Sequence, residues 1–567
     1  MKRASLSLGA LLGGLTSLPL MALWYLGEQF ADLPFVPFDI FDWLARTLPG
    51  DVITLGIDVI VRTIETLNLG PTSTAAKTIE QLMGLSLVLA VGVVLGIVVA
   101  WLLRATSWRG WQVGTLVGLV TLLPIIAIEF DLAATGDLGV ARNPALSLFW
   151  LSLTIIGWGA SLGHLLERQE APQVAGEADV GRRDALVKIA GGSVAIALGA
   201  WGLGSLLGRQ GQVTGAGQPL ALETATPGPG ATPPSPTAIP EAGATGVAER
   251  LTSEPASVSP LPEPTATATI RDRVEPAPGT RLELTPNEDF YRIDISTRPA
   301  DIDGESWVLE VGGLFDNPRP LTLEDLMAYP AVTQPITLSC ISNRVGGDLI
   351  GTSNWTGARL RDVLKDLGLR PEAKELFIEG ADGFFESVVM EDIMDPRTLL
   401  VYGMNGETLP VRNGYPLRIY IPNRYGMKQP KWITRIEAID DKATGYWVQR
   451  GWSYEARPQI VSVIDTVAVD QALDGRVPMG GIAWAGDRGI QKVEVQVDDG
   501  EWQEATLRTP PLSPLTWVQW RYDWPLVSGS HRFRVRATDG TGALQDEEVR
   551  DVRPDGATGY HETTVNI

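Results

Sequence analysis

Residue types able to bind a metal or act as nucleophiles are scarce in this chain, and the scarcity points to one stretch. Among 567 residues there are one cysteine and three histidines. No HExxH, CxxC, CxxCH or His/Cys zinc cluster can be drawn from Cys340, His164, His531 and His561. A single cysteine also forms no intrachain disulfide. Cys340 lies in ITLSCISNRVGG, where Ile336, Leu338 and Cys340 alternate with Thr337 and Ser339 at the period of a half-buried strand. On alternation alone, Cys340 is a small buried apolar residue. The next residues, Asn343, Arg344, Gly346 and Gly347, make a polar, donor-rich turn, an odd lid for an apolar core. That turn admits a second reading. A soft thiolate can ligate a high-valent metal, and coordination would protect it in an oxidising compartment.

The elements that must position this stretch divide the chain unevenly. Five apolar runs, near 5–26, 82–103, 111–130, 145–166 and 186–207, are long enough or nearly so to span a bilayer. Lys2, Arg3, Arg104, Arg109, Arg168, Arg182, Arg183 and Lys188 flank alternate ends, while the other connections carry Glu28, Asp32, Glu129, Asp131 and Asp137. The positive-inside rule then makes the N-terminus cytoplasmic and everything after residue 207 extracytoplasmic. Ile53, Ile57, Ile60, Ile64 and Leu67 form a helical stripe with Asp58, Arg62 and Glu65 elsewhere on the wheel, which predicts an interfacial helix rather than a sixth span. His164, near the end of the fourth run, reads as interfacial. From about 210 to 270 Pro, Thr, Ala, Ser and Gly dominate, a composition too poor in apolar surface to form a core. The net charge of −21 leaves no basic stripe for nucleic acid.

LSCISNRVGG followed by SNWTGARLRDVL resembles the cofactor domain of the sulfite oxidase family of molybdenum enzymes. The likeness continues through TPNEDFY (285–291), YGMNGETLP (402–410), NGYPLRIYIPNRYGMKQPKW (413–432) and GYWVQRGW (445–452), covering about 280–567. The resemblance implies a molybdopterin cofactor (Mo cofactor), with Cys340 as metal ligand and Arg344 beside it as a catalytic residue. It implies that Asn343, Asn413, Arg418, Lys428, Gln429 and Lys431 hold the cofactor. The chemistry is consistent, since a buried phosphate and a polar heterocycle need a guanidinium fork, an ammonium and amide donors. Two departures bear on the substrate. Phe290-Tyr291-Arg292-Ile293-Asp294 stands where sulfite-oxidising members carry a Phe-x-x-Arg-Asn-His-like run, and a single arginine, Arg344, follows Asn343.

VEVQVDDGEW, HRFRVRATDG and YHETTVNI alternate like sandwich strands, with turns at Asp499-Gly500 and Asp539-Gly540. They resemble the family's immunoglobulin-like dimerisation domain, and Trp484, Trp502, Trp517 and Trp520 read as packing residues. The expected chain is multidomain. An all-α transmembrane N-terminal half with about five helices (1–208) precedes a disordered tether (209–275). An α+β molybdopterin-binding oxidoreductase domain (276–456) and an immunoglobulin-like β-sandwich (457–567) follow. GRRDALVKIAGG, with Arg182 and Arg183, resembles a twin-arginine export signal, which suits a cofactor domain that crosses the membrane folded. The expected function is exchange of an oxo group with a small sulfur- or nitrogen-containing substrate, with electrons passing to or from a separate quinone or cytochrome. A homodimer and a multi-pass place in the cell membrane complete the expectation. The alternatives are a catalytically inactive tethered scaffold on the same fold, and a transporter or sensor built from the spans. The spans lack paired charges, which speaks against an ion pathway.

Overall fold

The computed structural model describes residues 5–134, 142–170, 178–207, 215–220 and 273–567. The helical half runs α1 (Leu6–Ala31), α2 (Val36–Thr47), α3 (Gly50–Leu67), α4 (Thr72–Ala105), α5 (Gly110–Ala134), α6 (Pro144–Glu170) and α7 (Ala178–Leu207). Among the described residues, five helices are long and apolar enough to cross a membrane: α1, α4, α5, α6 and α7. Glycines let their backbones touch. A Cβ on Gly13 of α1 would strike the Gly92 carbonyl of α4, and one on Gly114 of α5 would strike that of Gly159 on α6. α3 is a helix, as its stripe predicts, and is not among the five.

α4 has 34 residues, about 51 Å at 1.5 Å per residue, whereas a bilayer core needs only about 20 residues. Its N-terminal turns therefore extend past the apolar part, and with α2 and α3 they meet the second half of the chain.

That second half begins with β1 (Val308–Gly313), β2 (Leu321–Thr322), β3 (Ala331–Ser339), β4 (Ile350–Arg359), β5 (Glu375–Gly380), β6 (Phe385–Val389), β7 (Leu399–Met404), β8 (Glu407–Thr408), β9 (Arg418–Tyr420) and β10 (Ile433–Ile439). One sheet has the order β2-β1-β10-β5-β6, with β1 and β10 parallel; the other runs β3-β4-β7-β8, with β9 paired to β7. Between the sheets lies a core that includes Leu309, Leu360, Leu376, Ile419 and Ile436.

Residues 461–567 form two four-stranded antiparallel sheets. Val477 and Met479 from one sheet meet Val493, Val495, Phe533 and Val535 from the other in a single core, with Trp520 fully buried in it. Trp484 and Trp517 instead join Ile341, Tyr425 and Met427 in a core that spans both domains.

Most of the expected tether, 209–214 and 221–272, lies outside the described residues. Within 209–275, residues 215–220 lie against the catalytic domain: Thr408 N donates to Gln218 O at 2.8 Å, and Leu220 N donates to Gly406 O at 2.9 Å. Leu220 also packs on the sheet core. A single leucine among small and polar residues gives the segment enough apolar area to dock.

Candidate active site

β3 delivers Cys340 to its buried end, with 8% of the residue exposed. The β3–β4 connection then closes on itself. Cys340 N donates to Leu349 O at 2.9 Å, and Leu349 N donates to the Asn343 side-chain oxygen at 2.9 Å. Gly346 turns the chain at φ +83°. The loop is also held from outside. Asp348 accepts the N-terminal amide of α4, Thr72 N, at 2.7 Å, a carboxylate at the positive end of a helix. Arg344 approaches Asp551 of the sandwich at 3.9 Å. Cys340 Sγ lies 3.0 Å from Ser342 Oγ. Burial pushes the thiol up, and the Ser342 hydrogen bonds only partly oppose it.

A cavity of about 730 Å³ opens beside the thiol. Cys340, Asn413, Arg418, Gln429 and Lys431 all line it, as do Tyr291, Asp294 and Arg412. Gly414, at φ +118°, lets two of the cations converge. A Cβ there would lie 3.0 Å from that of Arg418 and 3.2 Å from that of Lys431. Arg418 is 5% exposed, donates to Asn413 O at 3.0 Å and stacks 4.8 Å over the Trp355 ring. No carboxylate among the described residues pairs with it, and burial brings its guanidinium down to about 10. Burial brings Lys431 down to about 8, against the pull of Asp294 at 3.0 Å. Two buried side-chain oxygens, Asn413 Oδ1 and Gln429 Oε1, find no hydrogen-bond partner among the described residues. The uncompensated guanidinium fits an anionic group, and the orphaned acceptors fit a ligand that also carries N–H or O–H donors.

Three candidates stand elsewhere. Lys428 does not line the cavity; it is buried on Glu386 Oε1 at 2.9 Å and lies 4.7 Å from the Tyr454 ring centroid. The Asn343 side chain closes the cysteine loop, and Arg344 faces the sandwich. Neither lines the cavity. None of the three histidines does so either. His164 is exposed on α6, His531 meets Asp498 at 2.6 Å, and His561 Nδ1 accepts from Ile464 N at 3.0 Å. No cluster of three His, Cys, Asp or Glu residues suited to a metal occurs among the described residues.

Sequence reasoning missed Tyr291, Asp294 and Arg412. Arg292, in the departing run, turns away from the cavity onto Asp294 at 2.7 Å. Arg412 clamps the same segment by donating to Glu288 O at 3.1 Å and Phe290 O at 2.9 Å. Asp294 is the hub. Burial works against its charge, but Lys431, Lys77 and Arg292 together hold its carboxyl well below the usual range. Of these, Lys77 comes from α4 of the helical half.

The helical half reaches the site elsewhere too. Asp42 of α2 accepts from Thr297 N at 2.9 Å and from Thr297 Oγ1 at 3.1 Å. Arg46 donates to Asp382 O at 2.9 Å, and Arg298 meets Asp39 at 3.0 Å. The helices therefore wall the cavity as well as supplying apolar spans.

Residues 296–447 match the family model described as the oxidoreductase molybdopterin binding domain, and 450–567 match the Mo-co oxidoreductase dimerisation domain. Mitochondrial sulfite oxidase of Drosophila melanogaster is 29% identical over 356 residues, 52% of this chain and 61% of that protein. The Mus musculus enzyme is 31% identical over 300 residues, 44% of this chain and 54% of its own length. A nitrate reductase [NADH] of Hordeum vulgare is 29% identical over 315 residues, 44% of this chain and 34% of that protein. The helical half has no part in the two domain matches.

Proposed function

We propose that this chain, which carries the molybdopterin-binding and dimerisation domains of sulfite-oxidase-type molybdenum oxidoreductases, is a membrane-anchored enzyme with its catalytic half on the extracytoplasmic side. It exchanges an oxo group with a small sulfur- or nitrogen-containing substrate, by sulfite-type oxidation or by reduction of an S-oxide or N-oxide. One observation carries the reading. The buried, carboxylate-free guanidinium of Arg418 converges with two orphaned amide oxygens on the cavity that also holds the Cys340 thiol.

Molybdenum on its pterin, when bound, supplies two-electron oxo transfer. The protein's residues do the rest. Cys340 would be the metal ligand; its burial favours the neutral thiol, and a bound cation would hold it as thiolate. Arg418 and Lys431 would neutralise the cofactor's phosphate, and Asn413 and Gln429 would present amides to its heterocycle. Lys428, Asn343 and Arg344 are positioning residues. Lys428 compensates Glu386, Asn343 fixes the cysteine loop, and Arg344 ties that loop to the sandwich.

Sidedness is supported by agreement between two independent patterns. The bundle residues in the contacts given above (Asp39, Asp42, Arg46, Thr72 and Lys77) all fall in or beside the connections that charge assigns to the outer side. Arg182 and Arg183 fall in the first turns of α7 and would direct export of the folded catalytic half. The C-terminal sheets would form an immunoglobulin-like sandwich that pairs two copies of the chain. Electrons would leave to, or arrive from, a separate carrier, a quinone or a cytochrome.

The test is elemental and enzymatic. Full-length protein should carry molybdenum and pterin near one per chain. It should turn over sulfite, or one of a panel of S- and N-oxides, with a soluble electron mediator. A purified chain with neither metal nor pterin would be a tethered scaffold.

A further inference from the structure

The cavity has two chemically different ends, and the oxo-transfer reading accounts for only one of them. At the polar end stand Cys340, Asn413, Arg418, Gln429 and Lys431. At the other, α2, the turn after it and α3 contribute only apolar side chains and one glycine, Leu44, Leu48, Ile53, Gly56, Ile57 and Ile60 among them, while α4 adds Ala76, Met83 and Leu87 along with Thr72, Lys77, Glu80 and Ser86. A small oxyanion has no use for such a wall. Apolar surface left in water costs about 25 cal/mol per Å², so an apolar wall beside a polar cradle suits a ligand with a polar head and a hydrocarbon body.

The position of the wall adds a second argument. α3 turns its isoleucine stripe to the cavity and a mixed apolar and charged face outward, where Leu55 and Val59 stand beside Asp58 and Arg62. Ile53, Ile57 and Ile60 line the cavity, while Leu55 and Val59 on the outer face are 65% and 56% exposed. The helix sits between α2 and α4, at the end of the bundle where α4 leaves its apolar span for the catalytic half. A ligand dissolved in a bilayer would reach the cavity along α3 without crossing water.

Electron balance gives the third. Oxidation of a substrate X to XO takes an oxygen from water and releases two electrons and two protons. One cysteine and three scattered histidines supply no ligand set for a haem or an iron–sulfur cluster to relay those electrons one at a time. A quinone takes up two electrons and two protons together, so X + H₂O + Q → XO + QH₂ closes without a relay, and it runs in reverse for an oxide reductase.

We propose that the apolar end of this cavity binds a lipid-soluble quinone, its carbonyl head toward the Cys340 end and its tail along α3. The inference rests on the oxidoreductase reading and names its electron partner. Gly56 is the residue that tests it. A Cβ built there meets nothing within 4 Å, so a larger side chain enters open cavity without straining α3.

The full-length chain, reconstituted in lipid nanodiscs, is to be labelled with a photoreactive azido-benzoquinone bearing a decyl tail. Peptides from 50–67, or from 446–452 where Tyr446, Trp447 and Trp452 also line the cavity, should carry the label, and excess decyl-benzoquinone should compete it away. Gly56→Trp should lose labelling at least tenfold and lose quinone-linked turnover to match, with soluble-mediator turnover and pterin content within twofold of wild type. Gly56→Ala should change neither. Labelling elsewhere, or labelling that survives Gly56→Trp, overturns the proposal. So does an equal fall in mediator turnover, since the wall would then serve the substrate. A wild type that turns over with the mediator but takes no quinone label sinks this inference alone. A wild type without pterin and without mediator turnover sinks the oxidoreductase reading instead.

Discussion

Lys77 Nζ stands 3.2 Å from one carboxylate oxygen of Asp294, whose other oxygen holds Lys431 at 3.0 Å. A helix of the apolar half thus sets the charge environment of a cavity cation in the catalytic half, through one buried carboxylate. Lys77 also donates to the carbonyls of Asp294 and Ser296 at 2.8 and 3.0 Å. Lys77→Met leaves those acceptors dry and removes one of the three cations around Asp294. Breaking a buried pair from one side costs about 3–5 kcal/mol. Full-length protein should therefore melt several degrees lower, and Lys77→Arg should recover part of the loss. Unchanged melting would make the contact incidental.

Arg418 and Lys428 are both buried cations, and they should respond oppositely to loss of charge. Arg418 has no carboxylate to abandon, so Arg418→Met should leave the cofactor-free protein as stable as wild type while pterin content falls at least tenfold. Lys428→Met strands Glu386, whose carboxyl burial already pushes up despite Lys428, at a cost of about 3–5 kcal/mol. Its folded fraction should keep pterin. Adding Glu386→Met should restore most of the stability. Pterin fluorescence and thermal melts on the three variants read both quantities.

Cys340→Ser exchanges a soft donor for a hard, weakly acidic hydroxyl in a strand that keeps Ile336 and Leu338. Turnover should fall by orders of magnitude while pterin stays bound through Arg418, Asn413 and Lys431. In the wild type, the thiol should resist alkylation until the metal is stripped. A serine variant with wild-type turnover would return Cys340 to the role of a buried apolar residue.

The junction between halves should weaken as pH rises. Burial lifts Asp42 to about 7, against the attraction of Arg46 and the Thr297 hydrogen bond. The folded state then holds a proton that the unfolded chain, with an ordinary carboxyl, has lost. Asp42's contribution is fully present below about pH 4 and is lost as pH climbs through about 7. Asp382, lifted by burial to about 6, acts in the same direction at lower pH. Melting of the full chain should therefore drop between about pH 4 and 7 and level off above that, and Asp42→Asn should flatten that slope, because the amide oxygen still accepts from Thr297 N. A slope of equal size in the variant would place the titrating group elsewhere.

Local regularities were legible in the sequence because they are one-dimensional. Alternation from Ile336 to Ser339 gave the strand that ends just before Cys340, apolar run length gave the five helices long enough to cross a membrane, and the isoleucine stripe gave α3. Side-chain direction in irregular backbone was not legible. Lys428 and Lys431 stand three residues apart in KQPKW, yet the 3-10 turn at Gly426–Lys428 and the positive φ of Trp432 send one onto Glu386 and the other into the cavity. Pattern rules rest on fixed periods, and this segment has none.

What the sequence determined by itself was the parts: an apolar half, a Pro- and Thr-rich run after it, a cysteine at a strand end and a cluster of cations and amides suited to an anionic cofactor. Tertiary structure alone decided that the halves share one cavity. Lys77 and Asp294 are 217 positions apart, a range over which local pattern carries no information. Only the excess length of α4 and the closing of buried charges on Asp294 bring them together. The cavity's apolar wall exists because of that contact, since neither α3 nor the catalytic sheets alone encloses it.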